Sequence, residues 1–121
     1  MGVEALIERR RVQRRELLAR AERFGAGLDP GLGVRALVVF GSVARGDFNV
    51  WSDVDVLVVA ERLPSRLRDR LELFGGAEPG LEVVAWTPHE WRQALERGNR
   101  IAREACEHGV WLVGSADEAS R

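Results

Sequence analysis

Blocks of apolar and polar positions along the chain predict eight elements. Over residues 3 to 24, apolar side chains fall at Val3, Leu6 and Ile7, then at Leu17, Leu18, Ala21 and Phe24, spacing that predicts a helix. Gly25 and Gly27 end it, and "LDPGLG" reads as a turn-rich connector. "VRALVVF", residues 34 to 40, is an apolar run ending at Gly41 and predicts a buried strand; residues 54 to 60 predict a second. Residues 65 to 74 predict a short helix with Leu67, Leu71 and Phe74 on one face and Gly75-Gly76 as its stop. "LEVVAW", residues 81 to 86, predicts a third strand. In "TPHE", Thr87 can cap, Pro88 suits the first helical position and Glu90 follows three residues after the cap, a capping box that opens a helix. Trp91, Ala94 and Leu95 form its apolar face, and Gly98-Asn99 breaks it. A second short helix carries Ile101, Ala102 and Ala105, and "VWLV", residues 110 to 113, predicts a last strand before a polar tail. The order α-β-β-α-β-α-α-β predicts the α/β (α+β) class, one mixed sheet with helices packed on it.

Composition narrows the class of molecule. A length of 121 residues predicts a single domain, 1–121, with an N-terminal helix in 1–27 and the rest of the core in 34–114. Hydrophobic residues make up 45% and charged residues 31%, a globular balance. All eighteen basic residues are Arg, and the net charge of -1 gives no general signal of nucleic-acid binding. Residues 1 to 23 hold seven Arg and four Glu, which reads first as a solvated helix face and second as a docking surface for an acidic partner or RNA. Cys106 is the single cysteine, which excludes an intramolecular disulfide and a cysteine metal cluster; it reads as a small buried residue. With no cleavable signal pattern and no apolar run near ~20 residues, the expected location is cytoplasmic.

The chemistry gathers in "VVFGSVARGDFNVWSDVDVLVV", residues 38 to 59. Asp53 and Asp55 open an apolar strand, and strand alternation points both to one face with Cα atoms roughly 7 Å apart. Like charges there repel unless a cation bridges them, and a hard ion with oxygen ligands, Mg²⁺, suits the pair. Gly41 permits a sharp turn and close approach of a ligand to the backbone. If Ser42 starts a short helix, its N–H groups and hydroxyl would face an anion, with Arg45 adding charge. A metal-bound nucleoside triphosphate satisfies both halves. Glu82, in the third strand, is the candidate third carboxylate; Asp47 and Glu78, in turn-like contexts, are weaker ones.

"GSVARG" followed without insertion by "SDVDVLVV" resembles the signature of the minimal nucleotidyltransferase (MNT) family of the DNA polymerase β superfamily. The segment "WTPHEWRQALERGNRIAREACEHGVWLVG" also resembles the tail of its small prokaryotic members, so the resemblance spans residues 34 to 114. It implies a palm-like mixed sheet, two Mg²⁺ ions, and transfer of a nucleoside monophosphate, AMP from ATP, to a hydroxyl acceptor with release of pyrophosphate. Carried onto this chain, it makes Asp53, Asp55 and Glu82 the catalytic metal ligands, although many members have Asp where Glu82 stands. Gly41, Ser42, Arg45 and Ser52 become the nucleotide-binding residues. Members of this size work beside a small helical HEPN partner as antitoxins, which implies a partner protein as acceptor. The alternatives are a non-catalytic antitoxin that acts by complex formation and a nucleic-acid end-modifying nucleotidyltransferase. Trp51 either stacks on a base or packs; Trp86, Trp91 and Trp111 read as core, and His108 as a helix C-terminal residue that suits the dipole.

Overall fold

In the computed structural model, which describes residues 2–75 and 79–121, four strands form one mixed sheet in the order β3-β2-β1-β4. The strands are β1 (Val34–Phe40), β2 (Val54–Ala60), β3 (Leu81–Trp86) and β4 (Val110–Val113). β1 pairs antiparallel with β2 and with β4, whereas β2 pairs parallel with β3. The parallel pair needs a crossover, and α3 (Leu67–Phe74) supplies it. The other helices are α1 (Val3–Ala26), α2 (Gly41–Arg45), α4 (Pro88–Glu96), α5 (Arg100–His108) and α6 (Ala116–Ala119). All eight expected elements are present. The turn-rich connector contains a 3-10 turn, Pro30–Leu32, and the polar tail contains α6.

β1 and β2 are central and covered on both faces, which is why their sequences read as apolar runs without polar alternation. One face sends Leu37, Val39, Val54, Val56 and Val58 into a core closed by Ala21 of α1 and by Val43, Ala44 and Phe48. The other sends Ala36, Val38, Phe40, Leu57 and Val59 against Trp91, Ala102, Ala105 and Ala119 of α4, α5 and α6. Trp91 is fully buried; its indole N–H donates to the Ser120 hydroxyl, 3.1 Å away, and its ring meets Trp111 edge to face. The Thr87 capping box forms as expected, and Glu90 also receives the Arg70 guanidinium at 2.7 Å.

Three packing expectations are corrected. Leu67 and Leu71 are exposed, and α3 buries Arg70 and Phe74 instead; Phe74 packs edge to face on Phe24, while Arg70 donates to the Pro64 and Ala85 carbonyls. Cys106 is exposed, because α5 buries the small residues Ala102 and Ala105 and one further step turns the chain back to solvent. Val3, Leu6 and Ile7 continue the stripe of α1 but are exposed, as is every residue from 2 to 12. No helix among the described residues is long and apolar enough to cross a membrane.

Candidate active site

Register alone assembles the first part of the site. Asp55, second residue of β2, lies directly opposite Glu82 on β3 and opposite Phe40 on β1. Residues opposite each other in a sheet share a face, so Asp55 and Glu82 share the one that carries Leu57 and Val59. Both side chains border the same cleft, one beside the other. Burial, then the neighbouring Glu82 carboxyl, then the charges of Asp53 and Glu104 push the Asp55 carboxyl up to about 6.

The turn after β1 faces this pair. Gly41 has φ +76 and is buried; a Cβ built on it would lie 2.2 Å from Oδ2 of Asp55. A side chain is therefore disfavoured twice, by backbone conformation and by space. α2 starts at Gly41, without a capping bond from the Phe40 side chain, and ends at Gly46, which is left-handed with φ 94. Ser42 is half-buried on its first turn. Gly41, Ser42 and Arg45 line one wall of a cleft of about 320 Å³, with Asp55 and Glu82 on the strand side.

The third wall comes from α5, which the sequence did not mark as part of the site. Arg100, Ile101 and Glu104 project into the cleft. Arg100 and Glu104 sit one helical turn apart, a spacing that shows they share a face but not which neighbour that face meets. Arg45 Nη1 donates to Glu104 at 2.5 Å, and its Nε to Asp47 at 3.3 Å. Arg45 is thus held between two carboxylates. Asp47 belongs to that pairing and is not part of the cleft wall.

Two expected residues lie apart. β2 begins at Val54, so Asp53 stands just before the strand; it is exposed and outside the cleft wall, and it acts on Asp55 through its charge. Ser52 also lies outside the wall. Its hydroxyl accepts the Asn49 N–H at 2.9 Å, while Asn49 Oδ1 accepts the Trp51 N–H at 2.8 Å. This turn carries Trp51 outward, 88% exposed, so Trp51 is not a packing residue. Glu78 lies outside the described residues.

The donor set fits a hard divalent cation: it is all oxygen, negatively charged and crowded enough to raise the Asp55 carboxyl. Among the described residues no three His, Cys, Asp or Glu side chains are gathered as a metal-holding group; the assembled part is the Asp55–Glu82 pair with Asp53 beside it.

Comparison with known proteins agrees with this architecture. A protein from Sulfolobus solfataricus, described as a candidate nucleotidyltransferase and solved by crystallography, superposes with a TM-score of 0.55 at 19% identity, over 93% of this chain and 88% of that one. A crystal structure of a toxin–antitoxin with AMP-PNP gives 0.48 at 18% identity, over 89% and 78% of the two chains, a likeness too loose to support any inference. No curated protein matches. The profile of the nucleotidyltransferase domain matches residues 28–112, most of the chain, and the chain belongs to that family.

Proposed function

We propose that this protein is a divalent-metal-dependent nucleotidyltransferase that moves AMP from ATP to a hydroxyl of a partner protein. The observation that carries the reading is the pair Asp55–Glu82, opposite each other in register and facing Gly41 and Ser42 across one cleft. A carboxylate pair opposite a glycine turn offers cation ligands and room for phosphate in the same space. Asp55, Glu82 and Asp53 would hold Mg²⁺, two ions in the fullest form of the site. Bound there, the metal supplies Lewis-acid polarisation of the phosphoryl oxygens and lowers the pKa of an acceptor hydroxyl.

The chain's own residues do the rest. Gly41 admits the triphosphate close to the backbone, and the Ser42 hydroxyl and N–H groups can donate to its oxygens. Arg45 is already engaged by Glu104 and Asp47, whereas Arg100 lines the same cleft with no carboxylate partner among the described residues. Arg100 is therefore the cation we assign to the phosphates. Asp55, on the cleft wall, can accept the acceptor's proton as the oxygen–phosphorus bond forms and pyrophosphate departs. Ser52 acts indirectly, by holding the turn that leads into Asp53. In this reading a small helical partner of the HEPN kind brings the acceptor hydroxyl, in the cytoplasm.

The test is label transfer from α-³²P-ATP with Mg²⁺, with and without the protein encoded beside it. Labelled partner and released pyrophosphate, both abolished by Asp55→Asn, support the proposal. Tight complex formation with no transfer by the wild type would replace it with the non-catalytic antitoxin. Transfer to an RNA end alone would replace the protein acceptor with a nucleic-acid one.

A further inference from the structure

Residues of α1 reach the nucleotide turn from outside the family-matched region. Arg14 Nε donates to the Val43 carbonyl at 2.9 Å and its Nη2 to the Ala44 carbonyl at 3.0 Å. Arg10 Nη2 donates to the Gly46 carbonyl at 2.9 Å, and its guanidinium lies over the Phe48 ring, 4.1 Å from the centroid. Val43 and Ala44 lie toward the end of α2 and Gly46 caps it, while its first residues are Gly41 and Ser42. A five-residue helix has too few internal hydrogen bonds to hold its own shape. Its terminal carbonyls need donors, and cations at that end also oppose the negative pole of the helix. Two guanidinium groups meet both needs, and the Arg14 fork fixes two successive carbonyls at once.

We infer that Arg14, with Arg10, is a positioning residue for nucleotide binding: α1 sets the place of the Gly41–Ser42 turn through the far end of α2. This rests on the nucleotide reading above. α1 spans Val3–Ala26, outside the matched residues 28–112, so this support is added to the family domain by a neighbouring element. Anything that displaces α1 then changes nucleotide affinity without touching the cleft.

Four proteins decide it: wild type, Arg14→Ala, Arg14→Lys and, as control, Arg15→Ala, which removes an exposed guanidinium of the same helix. Calorimetric titration with a non-hydrolysable ATP analogue and Mg²⁺ reads affinity; amide hydrogen exchange over residues 41 to 46, without nucleotide, reads the order of α2. Arg14→Ala is expected to weaken binding roughly tenfold, since small misplacements of positioning groups have effects of that size or larger, and to speed exchange over the turn. Arg14→Lys, which keeps one donor, falls between, and Arg15→Ala matches wild type. The Lys variant and the exchange data keep the test decisive should the Ala variant unfold. If wild type binds the analogue and both Arg14 variants bind it equally well, the positioning role is overturned while the nucleotide reading stands. If wild type itself does not bind, the nucleotide reading falls and takes this inference with it.

Discussion

A methyl group on Gly41 would stand 2.2 Å from Oδ2 of Asp55. The turn and the strand carboxylate are therefore fitted to each other, and neither can change alone. Gly41→Ala should push Asp55 aside and impose a left-handed backbone on a residue with a Cβ, at a cost of about 2 kcal/mol or more. Denaturant unfolding checks the stability, and titration with Mg²⁺ and an ATP analogue should show binding lost even where the fold survives.

Asp55 should give the protein a pH signature in the absence of divalent cations. Its carboxyl sits at about 6, against an ordinary 3.8. Between those values the folded protein holds more protons than the unfolded chain. The contribution of this group to stability is thus full below the window and lost as pH rises through it. Asp55→Asn removes the dependence. In chelator, the variant's melting temperature should match wild type near pH 4 and exceed it at pH 7; an offset independent of pH would contradict the crowding of Asp55 and Glu82.

Glu82 should separate chemistry from binding. Glu82→Gln keeps the size and loses the charge, so nucleotide transfer should fall by orders of magnitude while the triphosphate still binds at the Gly41–Ser42 turn. Glu82→Asp, still anionic but shorter, should be milder. Wild-type transfer by Glu82→Gln would return Glu82 to an ordinary strand residue.

The two cleft arginines should differ. Arg100→Ala removes a cation with no carboxylate partner among the described residues, and is expected to weaken binding of the Mg²⁺-bound analogue about tenfold. Arg45→Ala frees Glu104 to repel the phosphates, so part of its loss should be recovered in Arg45→Ala/Glu104→Gln. Equal effects of the two single variants, with no recovery in the double, would reverse the assignment.

Arg70 should matter for the fold and not for the cleft. It is buried and donates to two carbonyls and to Glu90. Burial works to raise the Glu90 carboxyl, but hydrogen bonds from the Thr87 N–H and Arg70 hold it below its usual value. Arg70→Ala strands these acceptors and should cost about 2–3 kcal/mol, less than a fully buried pair because Glu90 is partly exposed. Denaturant unfolding measures it, with nucleotide affinity expected to hold.

What the sequence determined by itself is local. Runs such as Val34–Phe40 and Val54–Ala60 are apolar and rich in β-branched residues apart from Arg35 and Asp55, which reads as interior strand; Thr87 and Glu90 lie within one turn, so their reciprocal bonds need no distant partner. Gly41, Ser42 and Asp55 are also legible, because both segments flank one loop and the antiparallel register returns Asp55 beside Phe40. Tertiary structure alone decided the rest. Nothing near Glu82 in sequence says that it lies opposite Asp55; the parallel register across the α3 crossover does. Arg100 and Glu104 enter the cleft because Ala102 and Ala105 are small enough to bring α5 close to the sheet. Leu67 and Leu71 match a helical stripe as well as any core residue, yet periodicity cannot tell whether another surface arrives to cover it. Arg14 reads as one charge among many until its donors meet the open carbonyls of α2, 29 and 30 residues away. Spacing reports which side chains share a face; only the packed chain decides what that face meets.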